Sequence, residues 1–480
     1  MRCSPCLLLL LATATFAGAA DFTAGNVVVY RVGDGIAPLA NTGAAVYLDE
    51  YSPSGALVQS IPLPTTLSGA NRRLIASGTA TSEGLLSRSA DGRFLILAGY
   101  DAAIPTTGLS GTTGSTINRT VGRIDQHGVV DTSTGFADFA SGNNPRSAAS
   151  VDGSDLYLAG GAGGVRFAAA GASTSTQLSS TVTNLRQVQV VDGQLYVSTS
   201  SGTTVRIGAV GTGLPTAAGQ TIATLPGVPL IGSPYGFALV DLSPAIPGPD
   251  VLYVADDAPG TVQKYSLTGG LWTPSGSATS AAARGLATTV AGGTVTVFVT
   301  TGGSGSSGGG TLSTLVDASG HGGMLAGTVT PIASAAPNTA FRGVALAPSA
   351  SAPVVAPAVQ ITPLALAAAE GGPPPTYAIS LTTIPESTVT IVLSPDGQLD
   401  LGAGPGVSVT RAFTSALAQT IAVTPVDDST VEGLHNGLVA HAVASGPASY
   451  ATLSLPTVAV TISDNDVGTN TPPMISSIPA

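Results

Sequence analysis

Carboxylates gather at three turns in the last part of the chain, and their types and spacing suit one kind of chemistry. Glu370 stands in Glu370-Gly371-Gly372, a second group in Asp427-Asp428-Ser429-Thr430-Val431-Glu432-Gly433, and a third in Asp464-Asn465-Asp466. Between them run alternating segments, Tyr377–Leu381, Val389–Leu393, Gln419–Val423 and Thr457–Ile462, which read as β-strands. Turns far apart in sequence can meet at one end of stacked sheets, so these acids are expected to converge. Hard oxygen donors held together suit Ca²⁺, which takes six to eight oxygens at about 2.3–2.6 Å. The candidate ligands are Glu370, Asp427, Asp428, Glu432, Asp464 and Asp466. The alternative is that they decorate polar turns and hold nothing.

The order of these elements resembles a known family. Its marks are the opening Glu-Gly-Gly, Ala378-Ile379-Ser380-Leu381 followed by Val389-Thr390-Ile391-Val392, the Val426-Asp427-Asp428…Glu432-Gly433 turn, and the closing Val460-Thr461-Ile462-Ser463-Asp464-Asn465-Asp466. Residues 359–467 resemble a Calx-beta domain, which implies an Ig-like β-sandwich with Ca²⁺ at the acids. One position departs from that pattern: the family usually carries a second acid three residues beyond the turn glutamate, and here His435 stands there. Imidazole is a poor ligand for Ca²⁺. The expected site is therefore weak, in the range of about 10⁻⁴–10⁻³ M known for extracellular modules.

A recurring unit fills residues 21–350. Its starts are Arg88-Ser89-Ala90, Arg146-Ser147-Ala148, Leu185-Arg186-Gln187, Gly236-Phe237-Ala238, Arg284-Gly285-Leu286 and Arg342-Gly343-Val344. Apolar second strands follow the first five, for example Phe94–Gly99, Leu156–Gly160 and Leu252–Asp256, with third strands expected at Val205–Ile207 and Val262–Tyr265. Spacings of roughly 40–58 residues are those of four-stranded propeller blades. The sixth start has no room for further strands, so Asn26–Val32, Val46–Ser52 and Ala56–Pro62 are expected to complete it as a clasp. That makes six blades; seven stay open because two spacings are long. The segment Tyr235–Gly269 resembles blades of the NHL and SMP-30/lactonase-like propellers, through Gly-Phe-Ala-Leu-Val-Asp, Val-Leu-Tyr-Val-Ala-Asp-Asp and Gly-Thr-Val-Gln-Lys-Tyr-Ser-Leu-Thr-Gly-Gly. Gly302–Gly310 reads as a mobile Gly/Ser-rich loop.

Five starts carry arginine: Arg88, Arg146, Arg186, Arg284 and Arg342. Equivalent inner-strand positions form a ring, and a ring of guanidiniums would bind an anion such as a carboxylate or phosphate. Alternatively, each arginine pairs with a nearby acid or caps turn carbonyls. Other chemistry is sparse. The four histidines, at 127, 321, 435 and 441, show no metal-pair spacing. No nucleophile elbow or P-loop is present. Asp256-Asp257 and Asp91-Gly92 would enter a lactonase-like metal site, but that family's Glu and Asn ligands find no matching positions.

The remaining features concern destination. Arg2, the apolar run Leu7–Phe16 and Ala17-Gly18-Ala19-Ala20 read as a signal peptide over residues 1–20. Cys3 and Cys6 both lie within it, so the mature chain carries no cysteine and no disulfide. The 27 acids outnumber the 16 Lys and Arg, for a net charge of −11, which argues against nucleic acid as a partner. No transmembrane segment is expected in the mature chain. A Pro/Ala/Ser-rich stretch, Pro348–Pro357, marks the boundary, giving a propeller at 21–350, a linker at 351–358 and the sandwich at 359–467. The tail 468–480 resembles the opening of a bacterial Ig-like repeat, as in a truncated product or a fragment of a longer surface protein. The expectation is an all-β, exported, non-catalytic binding or adhesion-type protein of the bacterial surface, extracellular space or periplasm. Its partner would be an extracellular protein, a glycan or an anionic ligand. The alternatives are a secreted lactonase-like or esterase-like propeller hydrolase with an accessory sandwich, and a plain spacer.

Overall fold

The computed structural model describes residues 20–303, 305–349, 358–383, 385, 387–451 and 453–467. The expected leader (apart from Ala20), the linker (apart from Ala358) and the tail lie outside them. The described chain is all-β, with one short 3-10 turn at Leu109–Gly111 and one four-residue helix at Ala448–Ala451. It divides into two compact units, one built from most of residues 1–351 and the other centred on 352–480.

Among the described residues, the first unit holds six sheets, each built on four antiparallel strands, besides a two-stranded pairing. Their inner strands are Ser87–Arg88, Pro145–Ala149, Leu185–Val191, Pro234–Val240, Ala283–Ala291 and Thr339–Leu346. In the first five sheets the chain runs outward strand by strand. The sixth is completed by the N-terminus: Val27–Val32 pairs with Thr339–Leu346, setting Val27 opposite Leu346 and Val32 opposite Ala340. Val46–Tyr51 and Leu57–Pro62 follow, so the expected clasp forms. Every residue of Pro145–Ala149 and Pro234–Val240 is buried, the mark of strands packed on both faces. The outer strand Leu57–Pro62 is largely exposed.

Each inner strand touches the next, and the contacts return to their start. Gly343 N–H donates to Gly84 O at 2.9 Å and Leu85 N–H to Arg146 O at 3.0 Å. The Ser147 hydroxyl donates to Arg186 O at 2.9 Å, that of Ser198 to Tyr235 O at 2.6 Å, and that of Thr300 to Arg342 O. The same three hydroxyls accept backbone N–H groups of Val188, Gln187 and Gly285. A hydroxyl that accepts and donates at once stitches strands of neighbouring sheets. Between the fourth and fifth sheets the backbones approach so closely that a Cβ on Gly236 would lie 2.6 Å from Arg284 O. Gly285 and Gly343 hold the equivalent place: a Cβ on Gly343 would lie 2.4 Å from both Gly84 O and Leu86 N.

Two details differ from expectation. The third strand of the third sheet is Ile207–Val210, displaced beyond Val205–Ile207. The Gly/Ser-rich segment is tied down: Gly308–Gly309 pairs in parallel with Thr339–Ala340, and Leu39 N–H donates to Ser306 O at 2.7 Å. Lys264 and Asp317 form a buried ion pair at 2.9 Å, where Ser319 Oγ, Gly320 O and Gly323 O also lie within hydrogen-bond distance of the ammonium and Tyr253 donates to the carboxylate.

In the C-terminal unit, a three-stranded sheet (Val359–Thr362, Thr376–Leu381, Gln419–Ala422) shares one apolar core with a five-stranded sheet. The five are Ala365–Ala369, Val458–Ser463, His435–Ser445, Val389–Pro395 and Val409–Phe413, in that order. Val458–Ser463 alternates strictly between buried and exposed, as a strand with one wet face must. Ile361, Tyr377, Ile379 and Ile421 meet Ile391, Leu393, Val439 and Val460 in that core.

Gly343→Ala tests the backbone approach between inner strands. Neither Gly84 O nor Leu86 N can move without shifting a strand, so the substitution is expected to lower stability by about 1–3 kcal/mol, read as a lowered urea midpoint. An unchanged midpoint would show that the strands lie further apart than this.

Candidate functional site

Strand pairing brings the C-terminal acids together. Ala365–Ala369 runs parallel to Val458–Ser463 with Ala369 opposite Ser463, so the next residues, Glu370 and Asp464, emerge side by side. His435–Ser445 pairs antiparallel on the other edge with His435 opposite Ile462, which delivers the 426–433 turn to the same end. Backbone and side-chain bonds then knit the turns. Asp464 Oδ2 accepts the N–H groups of Glu432 (2.6 Å) and Gly433 (2.7 Å), and its Oδ1 accepts that of Asp466 at 2.7 Å. Asn465 Nδ2 donates to Glu370 O and to Asp427 Oδ1, each at 3.1 Å. Asp428 Oδ1 accepts Thr430 N–H at 2.6 Å, and Glu432 Oε1 accepts from Gln398 at 2.9 Å.

Two groups of close ligand atoms result: Glu370, Asp464 and Asp466, and Glu370, Glu432 and His435, each within 4.8 Å of one another. Asp427 and Asp428 stand behind, near enough to raise the Asp466 pKa, though burial contributes more. Burial likewise pushes the Glu370 carboxyl up, with Asp464 and Asp466 adding to the effect. Asp464 shifts the other way, because the N–H groups of Asp466, Gly433 and Glu432 stabilise its charge. Glu370 is 5% exposed, and its Oε2 has no partner; Asp466 Oδ2 and His435 Nε2 are also buried without one. Unpaired acceptors crowded in a buried place are costly unless a cation joins them. The residues present therefore fit a divalent cation, and the all-oxygen group fits Ca²⁺.

The arginines of the first unit divide. Arg146, Arg186, Arg284 and Arg342 stand at equivalent places on four of the six inner strands and feel one another's charge, Arg146 with Arg186, Arg186 with Arg284, and Arg284 with Arg342. Arg88 is not among them. The bonds from Gly343 to Gly84 and from Leu85 to Arg146 put Gly84 in the equivalent position, and Arg88 instead reaches Ala347 O at 3.4 Å. The sixth place is held by Tyr235, whose ring lies between the guanidiniums of Arg186 (4.0 Å) and Arg284 (4.2 Å). Arg186 also donates to the Tyr235 hydroxyl and to Ser200. Tyr235 was not singled out in the sequence, although it directly precedes Gly236, as Arg284 and Arg342 precede Gly285 and Gly343.

The guanidiniums are unequally engaged. Arg342 is spent on the carbonyls of Gly78, Ala80, Gly303 and Phe341. Arg284 pairs with Asp257 at 2.9 Å and donates to Thr81 O at 3.0 Å. Arg146 donates to Asn184 and to Leu185 O. The Nε of Arg146, Arg186 and Arg284 are buried without partners. Burial, then the neighbouring arginine, brings the Arg146 pKa down to about 10, still charged at neutral pH. Four guanidiniums are opposed nearby by two carboxylates, those of Asp257 and Glu83. Burial raises the Glu83 pKa against the bonds it accepts from Tyr100, Asn144 and Ser77.

The lactonase-like acids do not assemble. Asp256 Oδ1 accepts the N–H groups of Ser233 and Ala258, Asp257 pairs with Arg284, and Asp91 holds Ser89 and Arg93. Among the described residues, groups of three close metal-type ligands occur only in the C-terminal unit. His127 lies against Asp21 and Gln126, and His321 against Leu267 O, both apart from the arginines. The sequence also gave no sign of a cavity of about 670 Å³ lined by Pro229, Ile231, Pro259, Tyr265, Pro274 and Met324.

No protein-family model matches the chain. No curated protein matches it either. Among solved structures, the periplasmic gluconolactonase of Pseudomonas aeruginosa is 13% identical, covering 83% of this chain and 99% of its own, with a TM-score of 0.35. The β-propeller domain of Myceliophteria thermophila Cps50 (Swd1) is 11% identical, covering 76% of this chain and 95% of its own, with a TM-score of 0.30. The calcium-binding domain CBD12 of CALX1.1 is 15% identical over 23% of this chain and 45% of its own, TM-score 0.19. Likeness at this level carries no argument about activity. No helix among the described residues is long and apolar enough to cross a membrane.

If Asp464 ties the turn to the strand end, Asp464→Ala should speed hydrogen exchange at the Glu432 and Gly433 amides. The Thr430 amide, held by Asp428, should keep its protection. Equal acceleration at all three would mean that the turn does not depend on Asp464.

Proposed function

We propose that the chain is an exported, non-catalytic binding protein: a six-bladed β-propeller that takes an anionic group at its inner-strand ring, followed by a Calx-beta-like sandwich that takes Ca²⁺. The observation that carries the ligand reading is the set of three buried guanidinium Nε–H groups left without acceptors, on Arg146, Arg186 and Arg284. An unpaired buried donor is costly, and a carboxylate or phosphate would satisfy such groups bidentately. Tyr235 and Ser200 add hydroxyls and Asn184 an amide beside them. The six sheets with their closed circuit of inner-strand contacts support the blade count, and the two sheets over one core support the sandwich. The leader-like N-terminus, with Arg2, the apolar run Leu7–Phe16 and Ala17-Gly18-Ala19-Ala20, supports export.

The hydrolase reading has less behind it. It needs several acids with a histidine or asparagine among the inner-strand groups. Asn184 is there, but Asp257 is bound to Arg284, Glu83 is enclosed by its own donors, and no histidine joins them.

Two measurements test the reading. Glucuronate, used as a carboxylate probe in calorimetry, should bind the full chain and weaken with salt. Arg186→Ala and Arg284→Ala should each reduce affinity by about tenfold or more, the worth of one charge-assisted bond, while Arg88→Ala leaves it unchanged. Equal binding by all variants would sink the ring as a site. Separately, Ca²⁺ but not Mg²⁺ at millimolar concentration should raise the melting temperature by the linkage RT ln(1 + [L]/Kd). The rise should vanish in the Asp464→Ala, Asp466→Ala double variant.

A further inference from the structure

His435 is the one nitrogen donor in the C-terminal cluster, and the backbone settles its tautomer. Its Nδ1 lies 2.9 Å from Gly433 O, which can only accept, so Nδ1 carries a proton. Nε2 is buried and without a hydrogen-bond partner, 3.4 Å from Glu432 Oε2 and 3.7 Å from Glu370 Oε1. Two arrangements reconcile a nitrogen with two carboxylates. Either a second proton makes an imidazolium, or a metal ion sits among the three.

The distances separate these. An imidazolium drawn to a carboxylate closes to about 2.7–2.9 Å, shorter than either separation. Ligands about 2.0–2.1 Å from one tetrahedral ion stand roughly 3.4 Å apart, close to both. Glu370 adds an independent sign: its side chain is 1% exposed, and Oε2 still has no partner. Imidazole nitrogen with carboxylate oxygen suits Zn²⁺ and its neighbours, whereas Ca²⁺ takes oxygen alone. Glu370 also belongs to the all-oxygen group with Asp464 and Asp466.

We propose that Glu370, Glu432 and His435 bind a borderline transition-metal ion of the Zn²⁺ type, beside the all-oxygen position that suits Ca²⁺. The inference rests on the cation reading above and adds a second metal of different chemistry. With Nδ1 donating to Gly433 O, the imidazole is held with Nε2 toward the ion, the usual outer support of a metal-bound histidine. Three protein ligands leave a fourth position for water.

The test uses metal-free full-length protein. Calorimetry with Zn²⁺ in saturating Ca²⁺ should show one site, and Co²⁺ in its place should give visible d–d absorption bands. His435→Gln should weaken Zn²⁺ by about tenfold or more, as loss of a ligand does, while the Ca²⁺ shift persists. His435→Asp should weaken Zn²⁺ and strengthen Ca²⁺. Glu432→Gln provides a second variant, and near-UV circular dichroism checks that each is folded. Ca²⁺ binding without Zn²⁺ binding would overturn this proposal and leave the calcium reading standing. Zn²⁺ binding indifferent to His435 and Glu432 would place the ion elsewhere and also overturn it. Failure of both ions would remove the cation reading itself.

Discussion

Closure of the sheet circuit is the constraint on which the first unit depends. An open array of sheets would put in water the side chains that now meet across the closure, where Val28, Tyr30 and Leu48 share a buried cluster with Leu86, Leu95 and Leu97. The last inner strand has no partner in its own stretch of sequence, so strands from the opposite end must supply one. Val27 opposite Leu346 is accordingly a contact between the two ends of the unit. Such long-range pairing forms late and slowly, because chain entropy must be lost before the contact rewards it. The ligand-type groups depend on the same closure. Arg284 donates to Thr81 O and Arg342 to Gly78 O and Ala80 O, carbonyls from the opposite end of the unit's sequence.

The two units concentrate opposite charge by similar means. In each, strand register stacks residues of one sign at one place, at a separation where they repel. In the first, equivalent inner-strand positions repeat from sheet to sheet. In the second, parallel pairing sets Glu370 beside Asp464, and an antiparallel neighbour brings in Glu432 and His435. Backbone groups moderate both clusters: carbonyls surround Arg342, and N–H groups surround Asp464. Among the described residues they leave the Nε of Arg146, Arg186 and Arg284 unpaired in the first cluster, and Glu370 Oε2 and Asp466 Oδ2 in the second.

Much of this was legible in the sequence, because apolar alternation and turn residues mark strands and their ends. Of the six expected acids, Glu370, Glu432, Asp464 and Asp466 stand in the close groups, because they follow or precede paired strand ends that the register sets side by side. The clasp was legible from a simple shortage of chain after Arg342. Register was harder. Arg88-Ser89-Ala90 matches Arg146-Ser147-Ala148 in letters, yet Gly84-Leu85 is what lies against Arg146. Short strands tolerate such slips in reading, since Ser87–Arg88 offers only two paired residues to fix them. Tyr235 was missed for the converse reason: it shares the position of the arginines but not their chemistry. The pairing of Gly308–Gly309 with Thr339–Ala340 is invisible locally, because glycine carries no side chain to signal a neighbour.

The two clusters differ in how far they satisfy themselves, and that difference ranks them. In the arginine ring, Arg342 donates to four carbonyls and Arg284 has its own carboxylate, so a good part of the charge is already answered. A ligand there would gain the Nε–H groups of Arg146, Arg186 and Arg284 and the face of Tyr235. Among the described residues, the only positive partner available in the C-terminal cluster is His435, and its Nε2 stands too far from both carboxylates for a charged hydrogen bond. Glu370 is enclosed almost completely with one oxygen unanswered. Because an unpaired buried charge costs more than an unpaired buried N–H, a cation at the acid cluster would gain more than an anion at the arginine ring.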